Sequence, residues 1–194
     1  MKNISDSTFI FFYILFISLL TFIISPESEI DSNNIKNLNE MSSEISQENV
    51  LERKYPLFCF SSSSLDEVST CENLYDSGIS TWKDNNMGCE DAWIEFTFSQ
   101  EIYLEFIVFQ NPEIYEYFVK TYNARDILIT NSDLGYSLNK EMQNENISQW
   151  IDINAMTSDV YIQILSAYPG EEINGIQPFS ECAIQEITFY GRDA

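Results

Sequence analysis

Between residues 111 and 125 the chain carries Asn111, Tyr117, Tyr122, Asn123 and Arg125, and a further tyrosine, Tyr168, stands directly before Pro169-Gly170 in a later connection. Phenol rings offer flat apolar faces, while amides and a guanidinium hold fixed hydrogen-bonding groups. Gathered on loops, this set suits a ligand with one apolar face and several hydroxyls, which is the surface of a sugar. Each residue also has a plainer use. Arg125 can pair with Asp126 or Glu116, and Tyr117 and Tyr122 can pack over the end of a domain. Trp82, after Ser80-Thr81, suits either a binding platform or the core or rim, whereas Trp93 and Trp150 read as core.

Other chemistry is narrower. The chain has no histidine, which removes Ser-His-Asp and Cys-His nucleophilic sites and His-ligated zinc. Glu171-Glu172 and Glu90-Asp91 are adjacent pairs, and neighbours on a strand point to opposite faces, so neither forms the facing couple of a glycosidase. No enzyme is expected. Asp76, Asp84 and Glu90, with Gly78, Asn86 and Asp91, surround a loop that could supply oxygen ligands to calcium or be merely a solvated acidic surface; no other cofactor is implied. The four cysteines, Cys59, Cys71, Cys89 and Cys182, allow three connectivities on an exported chain. Cys71–Cys89 with Cys59–Cys182 is the preferred pairing, one local loop and one link from first strand to last. Asn146-Ile147-Ser148 is a glycosylation sequon.

The elements that must position these groups read as strands. Trp93, Glu95 and Thr97 alternate with Ile94, Phe96 and Phe98, and Val160, Ile162 and Ile164 alternate with Tyr161, Gln163 and Leu165. Residues 102–109 are apolar enough for a strand buried on both faces. Residues 125–130 and 136–142 predict a hairpin, and residues 183–190 a strand in which Ile184 is out of phase with Ile187 and Phe189, the mark of a bulge. Between the last two strands lies a long loop, residues 166–182, with Pro169-Gly170, Asn174-Gly175 and Pro178. Seven or eight short strands without a convincing amphipathic helix predict an all-β antiparallel sandwich.

Charge and flanks set the organisation. A net charge of −22 excludes nucleic acid as a partner, because phosphates require clustered Lys and Arg, and it disfavours anionic membrane surfaces. Residues 9–24, FIFFYILFISLLTFII, form an apolar run of about signal-peptide or short-anchor length, so residues 1–25 are assigned to a signal peptide or signal-anchor. Residues 26–56 are polar and tether-like and are assigned to a disordered linker, leaving 57–194 for the sandwich. The domain is then expected outside the cytoplasm, extracellular or membrane-anchored, touching membrane only through the N-terminal segment.

An ordered set of segments carries a family resemblance: ENLYD at 72–76, STW at 80–82, WIEFTF at 93–98, Asn111, KTYNAR at 120–125, ILSAYPG at 164–170 and AIQEITFYG at 183–191. Together they resemble the discoidin-like (F5/8 type C, galactose-binding-like) jelly roll, in particular the glycan-binding domain associated with bacterial NAD glycohydrolase translocation. The resemblance implies an eight-stranded sandwich that binds a glycan or glycoprotein through loops at one end, and no NAD hydrolysis. The four cysteines, the missing histidine and the acidity depart from that family. A structural or adhesive protein-binding domain of the same fold is the alternative.

Overall fold

The computed structural model describes residues 50–132 and 135–194. The signal or anchor segment 1–25 and residues 26–49 of the 26–56 linker lie outside the described residues; the linker's last part, where a disordered tether is expected, holds a strand. Nine strands run through the described part: β1 (Glu52–Lys54), β2 (Phe58–Ser61), β3 (Trp82–Asp84), β4 (Trp93–Gln110), β5 (Asn123–Thr130), β6 (Ser137–Glu141), β7 (Ser148–Tyr168), β8 (Cys182–Ile184) and β9 (Glu186–Asp193). All ladders between named strands are antiparallel, in the order β1-β9-β4-β7-β5-β6, with β2 also on β4 and β3 paired with β8. The sheet starts before residue 57, since Glu52 faces Gly191 and Lys54 faces Phe189.

Two long strands make the sandwich. Residues 93–97 of β4 pair with 159–163 of β7, and residues 102–110 pair with 148–157, with a register shift between Thr97 and Ile102 where both strands turn a corner. The halves therefore lie in opposite layers. Phe96 of one layer meets Phe189 of the other edge-on at 4.8 Å, and Phe98 meets the same ring at 5.2 Å. Because β4 and β7 both fold back, Trp93 and Gln110 return to the same end of the sandwich, as do Ser148 and Gln163. A second shift places Leu104 opposite Ala155 but Phe106 opposite Asp152, leaving an extra residue on β7. Asn154 takes a left-handed φ of 55° there, a conformation asparagine tolerates, and bulges of this kind sharpen strand curvature.

Period-two alternation decides what is inside. Ile94, Phe96, Leu104, Ile107, Phe109, Ile151, Val160, Ile162 and Ile164 all point into one core. The expectation of a strand buried on both faces at 102–109 is corrected: Tyr103, Phe106 and Val108 are only partly covered. Trp82 is fully buried and donates from its indole N–H to Ser63 O at 3.0 Å, which resolves its two readings in favour of the core. Trp93 and Trp150 are not core. Ile94 and Ile151 take the inward positions beside them, so Trp93 stacks on Tyr161 outside at 5.6 Å and Trp150 stands exposed. The out-of-phase Ile184 marks the break between β8 and β9, where Gln185 N–H donates to Gln110 O.

The disulfides also correct the sequence expectation. The bonds are Cys59–Cys71 and Cys89–Cys182, in place of Cys71–Cys89 and Cys59–Cys182. Cys59 is the inward residue of β2, directly above the one-turn helix 71–74. Cys89 instead sits on a tight turn whose Gly88 N–H donates to Ser180 O, which carries it to β8.

Candidate ligand-binding cleft

Three connections meet at the end of the sandwich to which β4 and β7 return. The first, after β4, contains a short helix, α1 (Tyr115–Lys120), inside the tyrosine-rich segment that the sequence marks only as loop. The second joins β6 to β7 through residues 142–147. The third follows β7 and docks on α1: Glu171 N–H donates to Val119 O at 2.8 Å and Phe179 N–H to Lys120 O at 2.8 Å. In it Asn174 and Gly175 both take positive φ and close a tight turn between Ile173 and Ile176. Gly170 lies so close to α1 that a Cβ would stand 2.2 Å from Lys120 O.

These connections enclose a cleft of about 370 Å³. Tyr115, Phe118, Val119, Ile147 and Pro169 supply its apolar wall, and Asn123, Asn144, Glu145, Asn146 and Glu171 its polar one. Tyr115 is exposed, so its ring is free to be covered. Among the described residues, no lysine or arginine lines the cleft. Asn123, the first residue of β5, is 2 % exposed, and its amide N–H groups donate to Phe118 O at 2.9 Å and Thr121 O at 3.3 Å. Those two carbonyls fix which way the amide points and leave Oδ1 buried without a partner. An acceptor in that state costs on the order of 1–3 kcal/mol until a donor reaches it.

The other sequence-nominated residues lie around the cleft. Asn111 is fully buried beneath the 142–147 connection, donating to Glu145 O at 2.9 Å, with its own Oδ1 unpartnered. Tyr168 faces Asn123 across the ladder, and its hydroxyl donates to Met142 O at 3.1 Å, steadying the same connection. Tyr117 turns away from the cleft, tilted on Phe179 at 5.8 Å with Lys83 Nζ 5.2 Å from its ring centroid. Burial pushes its hydroxyl up to about 12 against a smaller opposing effect of the Thr81 hydroxyl. Tyr122 packs on the core and over Gly88, and its backbone bridges to Cys182. Arg125 is exposed, pairs with Asp126 at 2.9 Å and lies 5.9 Å from the Tyr168 ring. The Ser166 hydroxyl, and secondarily Arg125, hold the Asp126 carboxyl below the usual carboxylate range. Asn123 alone of the six lines the cleft, Asn111 and Tyr168 buttress it, and Tyr117, Tyr122 and Arg125 stand outside its wall.

The three acids considered for calcium are not gathered. Asp84 is buried and accepts from the hydroxyls of Ser62 and Ser63, Asp76 accepts from Gly78 N–H at 2.6 Å, and Glu90 is exposed. Among the described residues no three Asp, Glu, Cys or His side chains come together as ion ligands. Sequence reasoning missed Tyr115, Phe118 and the run Asn144-Glu145-Asn146. The usable signal for that run was a short polar stretch between two strands, ending in the sequon.

No family model matches the chain, and no curated protein matches it. Solved structures do resemble it. The family 32 carbohydrate-binding module of Clostridium perfringens NanJ, in complex with galactose, has a TM-score of 0.55 at 8 % identity, over 73 % of this chain and 99 % of that one. The first two such modules of C. perfringens ZmpB, in complex with GalNAc, have a TM-score of 0.55 at 12 % identity over 80 % of this chain and 37 % of that one. The third module of a C. perfringens family 31 glycoside hydrolase has 0.53 at 14 %, over 73 % and 91 %. At these identities the likeness establishes the fold alone, an antiparallel β-sandwich like that of these modules.

Proposed function

We propose that this chain is a non-catalytic carbohydrate-binding module that takes a glycan in the cleft between α1, residues 142–147 and the connection after β7. The observation that carries the reading is Asn123 Oδ1, a buried acceptor held without a partner in a wall that also presents an exposed tyrosine ring. Asn123 Oδ1 is closed to solvent, so a sugar hydroxyl supplies the missing donor as the cleft side chains part around it. The exposed ring face of Tyr115, with Phe118 buried beside it, suits the apolar side of a pyranose. The carboxylates of the cleft, Glu145 and Glu171, are both exposed and lack the burial that a glycosidase acid requires. The YPG turn and the AIQEITFYG strand resemble those of the glycan-binding domains associated with NAD glycohydrolase translocation, which supports a glycan as the ligand. Two disulfides, the apolar 9–24 run and the polar span after it fit a domain exported from the cytoplasm, secreted or tethered, that meets glycans or glycoproteins there.

Glycan-array screening followed by titration calorimetry tests this. Asn123→Ala and Tyr115→Ala are each expected to weaken binding by roughly tenfold, the loss of about 1.4 kcal/mol that one hydrogen bond or one stacked ring supplies, with circular dichroism unchanged. Absence of binding to every glycan, or unaltered affinity in Asn123→Ala, refutes it. A second reading, adhesion to protein, has one observation on its side: Leu57, Phe58 and Phe60 are all exposed on or beside the edge strand β2. Concentration-dependent self-association or protein capture abolished by Phe58→Ser/Phe60→Ser would favour it.

A further inference from the structure

Trp150 is 60 % exposed, and yet its plane is held. It stands on the outer face of β7 with its ring centroid 4.7 Å from that of Phe106 on β4 and 6.3 Å from that of Tyr190 on β9. Phe106 and Tyr190 stack on each other at 4.9 Å. An indole locked by two neighbours loses little conformational freedom when something covers it, and its apolar area favours covering. The same tryptophan walls a second cleft of about 250 Å³, whose other sides include the polar side chains of Lys140, Gln143 and Ser148. A flat ring beside convergent donors and acceptors is the combination that recognises a pyranose.

The second cleft adjoins the first. Ile147 lines both, so the 142–147 connection is the ridge between them. We infer that Trp150 forms a second sugar subsite, and that the ligand is an oligosaccharide with one unit against Asn123 and a further unit, across the Ile147 ridge, stacked on Trp150. The inference rests on the reading of the first cleft as a sugar site and names the class of ligand, an extended neutral glycan. Neutral chains are specified because, among the described residues, no cation lines the first cleft, Lys140 in the second shares its wall with Glu141, and the chain carries a net charge of −22, which repels sulfated or uronic polymers.

The test uses arrays of neutral glycans one to six sugars long, read against the wild-type chain, Trp150→Ala, Trp150→Phe and Asn123→Ala. Affinity in the wild type is expected to rise with length beyond one sugar. Trp150→Ala should lose about tenfold on the longer glycans and nothing on monosaccharides, with Trp150→Phe in between. Asn123→Ala should weaken all lengths. Equal loss in Trp150→Ala on monosaccharides and longer glycans, or none on either, overturns the second subsite while leaving the first reading intact. Long-glycan binding that survives Asn123→Ala but not Trp150→Ala refutes the first cleft and keeps a sugar site at Trp150. No binding at any length removes both. A sedimentation shift in Trp150→Ala, showing that this face joins two copies of the chain, overturns the second subsite alone.

Discussion

Removing the two disulfides is expected to cost unequal amounts of stability. Cys59–Cys71 spans 12 residues of sequence and Cys89–Cys182 spans 93. A cross-link restricts the unfolded chain in proportion to the logarithm of the loop it closes, which gives about 2.8 kcal/mol for the shorter and about 4.7 kcal/mol for the longer. All four cysteines are buried, so replacing either pair by alanine loses a similar amount of side-chain packing, and the difference of roughly 2 kcal/mol isolates the loop. Against a total stability of about 5–15 kcal/mol, the longer bond is a large share. Urea titration of Cys59→Ala/Cys71→Ala and of Cys89→Ala/Cys182→Ala measures both, with non-reducing peptide mapping to verify which cysteines are joined. Equal losses, or a larger loss for the short pair, would refute the loop argument; a Cys71–Cys89 peptide would refute the pairing itself.

Gly170→Ala places a Cβ against Lys120 O and should cost more than about 2 kcal/mol, lowering the thermal midpoint by about 5 °C, whereas Gly135→Ala, with nothing within 4 Å, should stay within about 0.5 kcal/mol in differential scanning fluorimetry. Tyr117 makes the protein sensitive to alkali. Its folded value of about 12 lies above the ordinary 10, so above pH 10 the unfolded chain ionises while the native one does not. The stability Tyr117 contributes is thus complete below pH 10 and is lost as pH rises toward 12. Tyr117→Phe should therefore move the alkaline unfolding midpoint upward, and an unchanged or lowered midpoint contradicts the assignment.

Wherever one face of a strand meets the core, alternation alone identifies the buried set, as with Ile94, Phe96 and Phe98, or Val160, Ile162 and Ile164. Trp150 shows the hazard of judging by residue type: its size suggests burial, but period two from Ile151 and Ile153 puts it outside. The disulfide pairing was not legible because Cys71 and Cys89 sit in irregular turns, where no periodicity ties sequence position to place. The cleft was legible only in part. Asn123 and the YPG turn announce themselves, but residues 142–147 reach them only because β7 turns a corner and returns, a consequence of a register shift and of one left-handed asparagine.

If the chain is a tethered glycan-binding module as proposed, the direction of strand β1 sets how it would bear load. Glu52 lies beside Gly191 at the end of the sandwich away from the cleft, and Lys54 lies nearer the end where Glu186 faces Gln110. Tension between a captured glycan and the chain preceding β1 would run parallel to the strands. Ladder hydrogen bonds lie perpendicular to that direction, so they are loaded together in shear and do not peel one at a time. Three residues form a short clamp, reinforced by Arg53–Glu186 at 2.5 Å and Lys54–Asp193 at 2.8 Å. Two of the clamp's fasteners are thus ionic, and the force needed to strip β1 away should fall as salt screens them.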